Sequence, residues 1–571
     1  MTIARSEPRT DARVTFPDGC VYSAPVGTPL LTYVDAAFPD GHPERPVLGA
    51  VVDNQLVELT YAVSRDIKIQ PIFLNDSDGG RIYRRSLVFL LITAAAELFP
   101  GVKIAVEHSI PTGGFYCEPV GRPNFSRAEL DAILARMKEI VAADEPFERK
   151  TIPLAEAVTW FTDHGDDDMV RLLKNREKDY LTIYTLRGKI DYLFGYMVPS
   201  TGYLSIFALY PMEQGFILVY PRPEFTDSLL PYQASSKLER VFQQEKAWRR
   251  VMGLEDIGTL NHAIEDGRIR EEVLIAEALH SRYLGEIARM IAERHARGLK
   301  LVLIAGPSSA GKTTFSKRLA VQLMAYGIQP FTLEMDNYFV DREHTPRDEH
   351  GNYDFESLDA MDRTRMNTDV QGLIAGEEVQ MPHFDFKQGR SFPGQVAKLT
   401  PDQIIIAEGI HGLNPQLLPS IPADRVFRVY VSALTALNLD RHNRVPTTDV
   451  RLLRRILRDA RTRGYKAIDT ISRWESVRRG EKRNIFPHQE NADVMFNSSL
   501  PYELAMIRAQ AEPLLRQVDP NTRHYIEAKR LLSFLRWVRP ADSSFVPDDS
   551  ILREFIGGSI LESYIPGKRR G

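Results

Sequence analysis

Short apolar runs and four-residue apolar spacings mark the chain from residue 299 onward. Leu301-Val302-Leu303-Ile304-Ala305 has the length of a buried strand, and Phe315, Leu319 and Leu323 then recur at the spacing of one helix face. Ile404-Ile405-Ile406-Ala407 is a second such run, closed by Glu408 and Gly409, as a buried parallel strand reads. Residues 299–571 alternate strand and helix patterns in this way, which predicts an α/β doubly wound parallel sheet. Residues 13–75 predict a small β-rich unit. In it Val14-Thr15-Phe16 leads into the turn Pro17-Asp18-Gly19, while Val47 to Val52 and Gln55 to Leu59 flank Asp53-Asn54. Arg84 to Phe99 and Arg127 to Val141 read as helices, and residues 180–220 alternate Tyr, Leu, Ile and Phe as strands do. A polar, helix-favouring stretch from Ala234 to Arg297 joins this front half to the first buried strand. There is no internal repeat and no low-complexity tract.

At 571 residues the chain predicts three or four domains, at about 150 residues each. Its 43% apolar and 26% charged residues are those of a water-soluble globular protein. Met1 to Arg13 is polar and lacks a secretory core, and no apolar run nears the roughly 20 residues that span a bilayer. With Cys20 and Cys117 alone, neither a disulfide framework nor a cysteine-ligated metal is expected, and a reducing cytoplasm is the natural compartment. A net charge of −4 gives no global case for binding nucleic acid.

The chemistry is densest at residues 306–314, Gly-Pro-Ser-Ser-Ala-Gly-Lys-Thr-Thr, a complete G-x-x-x-x-G-K-[ST] phosphate loop between a strand pattern and a helix pattern. Gly306 and Gly311 let the backbone curl so that consecutive N–H groups, with Ser308, Ser309, Ala310 and Thr314 among them, face phosphate oxygens. Lys312 is placed to reach the β/γ-phosphates, and the Thr313 hydroxyl to ligate Mg²⁺. The motif predicts binding of a nucleoside triphosphate. Farther on, Arg451, Arg454, Arg455 and Arg458 fall on one helical stripe, with Leu452, Leu453, Ile456 and Leu457 largely opposite. Like charges one turn apart repel, so an arginine stripe predicts an anionic partner; phosphate suits guanidinium forks, and nucleic acid is the rival.

Val14-Thr15-Phe16-Pro17-Asp18-Gly19 with Pro25-Val26-Gly27-Thr28 resembles the opening of a TGS domain, the ubiquitin-sized module that begins threonyl-tRNA synthetase. Residues 84–100, then Gly114-Phe115-Tyr116 and Val198-Pro199-Ser200-Thr201-Gly202, resemble the editing domain of that enzyme, so the likeness spans roughly residues 13–225. The synthetase carries H-x-x-x-H and C-x-x-x-H at the places held here by Arg85, Phe89, Leu193 and Met197. None of these four ligates zinc or acts as a base near neutral pH, so the resemblance implies the scaffold without its editing chemistry.

From about residue 299 to 500 the chain resembles the uridine kinase and phosphoribulokinase family. Leu333-Glu334-Met335-Asp336-Asn337-Tyr338-Phe339 looks like the family's second strand. Phosphoryl transfer needs a carboxylate at such a strand end, and by resemblance Asp336 is the catalytic base, acting with Lys312. The resemblance makes Glu408 a second Mg²⁺ group beside Thr313, and Arg455, Arg458 and Arg463 the lid arginines that close on the triphosphate. Arg451 and Arg454 have the alternative of pairing with acidic neighbours. The family's ribose-binding Asp aligns with Glu356, or with Asp354 across a gap, in Asn352-Tyr353-Asp354-Phe355-Glu356. In the acceptor segment His383-Phe384-Asp385-Phe386-Lys387-Gln388-Gly389-Arg390, Phe384 replaces a Tyr and Gly389 stands where the family has a His. Phe384 and Phe386 remain as stacking surfaces, and Arg390 completes the acceptor-side candidates. Tyr465 follows Gly464 where uridine kinases have Arg, so uridine itself is poorly supported as acceptor.

Glu277-Ala278-Leu279-His280 and Leu552 to Ser559 resemble segments of bacterial uridine kinase-related proteins, which fuse a synthetase-like front half to a kinase-like back half. The expected organisation is a TGS-like module over 1–75, an editing-like domain over 76–225, a helical connector over 226–298 and a P-loop kinase domain over 299–571. The expected function is ATP- and Mg²⁺-dependent phosphorylation of a hydroxyl on a small, nucleoside-like acceptor. One rival is an RNA- or ribosome-associated NTPase working through the TGS-like module; another is a kinase of a different sugar or polyol. Residues 1–225 hold 23 Lys and Arg against 30 Asp and Glu, a balance that opposes phosphate-backbone binding.

Overall fold

The computed structural model describes residues 9–39, 46–348, 351, 353–435 and 437–567. Asn352 and the first eight residues of the polar N-terminus lie outside the described residues. The back half is built on a five-stranded sheet in the order Gln329–Glu334, Gln403–Glu408, Leu301–Ala305, Val426–Ser432, Val494–Asn497, with every neighbouring pair parallel. Its strands read as unbroken apolar runs because both faces are covered. Val302 and Ile304 with Ile404 and Ile406 pack against Phe315, Leu319 and Leu323 of the helix Lys312–Ala325. Leu301, Leu303, Ile405 and Ala407 point the other way, onto Met366, Val370 and Leu373 of the helix Arg363–Ala375. This period-two split between two cores is the doubly wound arrangement expected from the sequence.

The front of the chain is a mixed five-stranded sheet with the helix Leu30–Ala37 on it, ordered Val21–Pro25, Asp11–Thr15, Ile67–Phe73, Val47–Val52, Gln55–Val57. Asp53 and Asn54 both take positive φ, 48° and 56°, the geometry of a two-residue hairpin turn. Next comes an α+β region. The helix Ser77–Leu98 buries Leu87, Phe89, Leu90 and Leu91, and Arg127–Ala142 opens with a capping box from Ser126 and Glu129. Around these helices lie a four-stranded and a three-stranded antiparallel sheet. The helices Ser236–Met252, Ile257–Glu265 and Ile269–His295 then lead into the central strand. Among the described residues no helix is long and apolar enough to cross a membrane.

Candidate active site

The phosphate loop leaves the central strand at Gly306 and runs into the helix that begins at Lys312. Both fixed glycines are demanded by the backbone. A Cβ on Gly306 would stand 1.8 Å from the Val431 carbonyl oxygen, and Gly311 has φ +85° with Ile551 only 2.5 Å from its would-be Cβ. Ser309 also takes a positive φ, 57°, and its hydroxyl is buried without a hydrogen-bond partner among the described residues. A buried hydroxyl left unpaired costs about 1–3 kcal/mol, a cost the loop carries in this conformation.

Strand ends bring the acids to the loop. Glu408 lies in register with Ile304 and Glu334 at the carboxyl edge of the sheet, and its Oε1 accepts the Thr313 hydroxyl at 2.8 Å. Burial pushes the Glu408 carboxyl up; Lys312 and the Thr313 hydrogen bond oppose this, while Glu554 and Asp336 add to it. Asp336 sits in the short turn Met335–Tyr338 that ends the Gln329–Glu334 strand, and it is exposed. The protein crowded around it raises its pKa, against the pull of Lys312 and Arg463 and with help from Glu334. Thus Asp336, Glu408 and Lys312 influence one another directly. Among the described residues no three His, Cys, Asp or Glu are grouped to hold a metal. One carboxylate and one hydroxyl, with phosphate oxygens to complete the shell, is the donor set Mg²⁺ takes, and Thr313 with Glu408 fits it.

The arginine stripe on the helix Thr447–Arg463 is corrected in part. Arg451 is 2% exposed and meets Glu481 in two bonds of 2.5 and 2.9 Å. Arg454 is wholly buried, donating to Glu503 at 2.9 Å and to the Ser498 carbonyl at 2.8 Å. These two hold the helix in place and are closed to an outside anion, because the leucine face is not the only side that packs. Arg455 reaches the Ser308 hydroxyl at 2.8 Å, and Arg455, Arg458 and Arg463 converge on Asp459 at 3.2–3.3 Å. Glu481 also accepts the Ser308 backbone N–H at 2.9 Å. Asp459 and Glu481 were not singled out in the sequence; Asp459 was visible as the one acid inside the stripe, while Glu481 carried no local signal.

On the acceptor side, Glu356 is the member of its pair coupled to the loop. Burial and then Glu481 raise its carboxyl to about 7, against Arg455 and Lys312. Asp354 instead accepts the Glu356 N–H at 3.2 Å and faces Arg483 at 3.7 Å. The stacking expected of Phe384 is corrected. Its ring is 4% exposed, wedged against Phe339 and Phe386 at 5.9 and 5.0 Å, because the Val379–Asp385 strand turns it into the protein. Phe386, 56% exposed, is the open ring. Arg390 is exposed on the paired strand Arg390–Ala397 and has no ion pair among the described residues.

The C-terminal segment straps across the start of the phosphate-loop helix. Glu554 Oε2 accepts both the Thr314 hydroxyl at 2.8 Å and the Thr314 N–H at 3.2 Å. Lys317 donates to the carbonyls of Leu561 and Glu562 at 2.6 and 3.1 Å, and Arg461 ties to Glu562 at 2.8 Å. In the front half, Phe89, Leu193 and Met197 are core residues at most 2% exposed, and Arg85 donates to the Tyr196 carbonyl at 2.5 Å.

A five-stranded parallel sheet with a phosphate loop on its central strand, acids at the neighbouring strand ends and helices on both faces defines a P-loop α/β domain of the kinase type. Residues 301–504 match the model of the Phosphoribulokinase / Uridine kinase family, and the back half carries a domain of that family. The N-terminal region matches threonine–tRNA ligases. That of Symbiobacterium thermophilum is 31% identical over 197 residues, covering 34% of this chain and 30% of the ligase. That of Polaromonas naphthalenivorans is 33% identical over 200 residues, covering 34% and 31%. The chain thus spans about a third of the length of these curated relatives. Among solved structures, one described as a possible uridine kinase from Bacillus stearothermophilus aligns with TM-score 0.24 and 19% identity, over 35% of this chain and 89% of its own.

Proposed function

We propose that the chain transfers the γ-phosphoryl group of ATP, with Mg²⁺, to a hydroxyl of a small nucleoside-like acceptor. The observation that carries the reading is the contact of Thr313 with Glu408 at the phosphate loop, with Lys312 and Asp336 electrostatically joined to it. Backbone N–H groups of the loop receive the phosphates, and Lys312 holds the β/γ oxygens. Bound Mg²⁺ would offset the charge on the transferring group, held on the protein side by Thr313 and Glu408. Asp336 accepts the acceptor's hydroxyl proton; its raised pKa favours taking that proton, and its open position leaves room for the acceptor. Arg455, Arg458 and Arg463, now gathered on Asp459, turn to the phosphates as these arrive. Glu554 gives up the Thr314 donors at the same moment, since carboxylate and phosphate compete for them. Glu356 and Phe386 face the acceptor. Internal pairing of Arg451 and Arg454 leaves a shorter arginine surface than a nucleic-acid site needs, which favours the small acceptor. A panel of nucleosides, sugars and polyols assayed for ADP release tests the proposal. It expects stimulation by at least one nucleoside and fails if no acceptor raises ADP release above the rate with water.

A further inference from the structure

We propose that the chain carries a second small-molecule site, for an anion bearing two or more phosphate groups, in the cavity between the synthetase-like region and the helix Tyr525–Leu535. The cavity has a volume of about 660 Å³, in the range of small-ligand sites, and shares no residue with the phosphate loop. Eight of its lining residues are Arg or Lys and only two, Asp78 and Glu177, are acidic. Three of the eight are neutralised from behind: Arg81 by Glu527, Arg530 by Asp449 and Arg149 by Glu58. The other five, Arg85, Arg176, Lys178, Lys529 and Arg536, have no carboxylate partner among the described residues.

Position sorts these five cations. Arg85 and Arg176 are half-buried; Lys178, Lys529 and Arg536 are exposed at the rim. Arg176 lies over the Trp537 ring at 5.0 Å and donates to the Tyr180 carbonyl at 2.7 Å, so its plane is fixed before any ligand arrives. Arg85 is held by the Tyr196 carbonyl, and desolvation lowers its pKa to about 10, the mark of a cation lacking its counter-charge. A half-buried guanidinium with no acid beside it is costly for a fold and is explained by an anion that arrives from outside. Forked donors at fixed angles select phosphate oxygens, and five unbalanced charges over this volume are poorly matched by one monovalent anion.

The test titrates the full chain carrying Lys312→Ala, which weakens the phosphate loop, with inorganic tripolyphosphate. Calorimetry gives the stoichiometry, and a tryptophan fluorescence change that is lost in Trp537→Phe, whose ring lines the cavity, reports the place. One equivalent should bind, less tightly as salt rises, and Arg85→Gln or Arg536→Gln should each weaken it tenfold or more. Arg85→Gln should leave the thermal midpoint unchanged or raise it, as a residue kept for structure would not. If that variant fails to fold, the exposed Arg536→Gln carries the test alone. Absence of binding, binding indifferent to Arg536→Gln, or retention of tRNA without any binding of tripolyphosphate would each overturn the proposal.

Discussion

Replacing Glu554 by Gln should tighten ATP binding. In the structure one carboxylate oxygen holds the Thr314 hydroxyl at 2.8 Å and the Thr314 N–H at 3.2 Å. Both donors stand in the first turn of the phosphate-loop helix, where its dipole favours a negative charge. Nucleotide phosphates must displace that carboxylate. A hydrogen bond to a charged group contributes roughly 1.5–3 kcal/mol, against about 0.5–1.5 for a neutral one. Glu554→Gln keeps the shape and an acceptor oxygen but loses the charge, so it weakens the strap by about 1–2 kcal/mol. At about 1.4 kcal/mol per decade, this is roughly a 5- to 30-fold gain in ATP affinity. Calorimetric titration with ATP and Mg²⁺ at fixed ionic strength reads the change directly, and the KM for ATP should fall in parallel. An unchanged or weaker affinity would refute the reasoning and make Glu554 part of the nucleotide site rather than its competitor.

Three further outcomes are expected. Lys312→Ala should abolish acceptor-dependent ADP release with the fold intact by circular dichroism. Arg454→Ala leaves Glu503 buried without its partner and should cost about 3–5 kcal/mol in urea denaturation, while Arg463→Ala, half exposed, should cost well under 1. The native state keeps the Glu356 proton up to about pH 7, whereas the unfolded chain releases it near 4.5. Its stabilising share is therefore full below about pH 4.5 and lost once the pH has risen through about 7, and Glu356→Gln should flatten the decline in thermal midpoint over that interval.

What the sequence disclosed depended on how local the cause was. Leu301–Ala305 and Ile404–Ala407 announced buried parallel strands because two covered faces leave no polar position inside the run. The phosphate loop was equally plain, since its glycines answer to the backbone around them, although the close approach of Val431 to Gly306 shows only in three dimensions. For Arg451 and Arg454 the sequence left an outside anion and acidic neighbours as alternatives, because helical periodicity says which residues share a face and not what covers it, and the structure decides for the acids. Their partners, Glu481 and Glu503, lie 30 and 49 residues away. Glu554 is 240 residues from Thr314, and no spacing rule connects them. Phe384 kept its aromatic character in the sequence, but which side of a hairpin it faces was settled by the register of its strand with Arg390–Ala397.

The central claim is phosphoryl transfer with Asp336 as the proton acceptor, and acceptor-dependent ADP release by wild type and Asp336→Asn, measured side by side, tests it most directly. Asparagine preserves the shape of the side chain and removes its basicity. General-base assistance contributes about 10²–10⁴-fold, so kcat should fall by that factor with ATP affinity within a few-fold of wild type. Equal acceptor-dependent turnover in the two proteins would contradict the account.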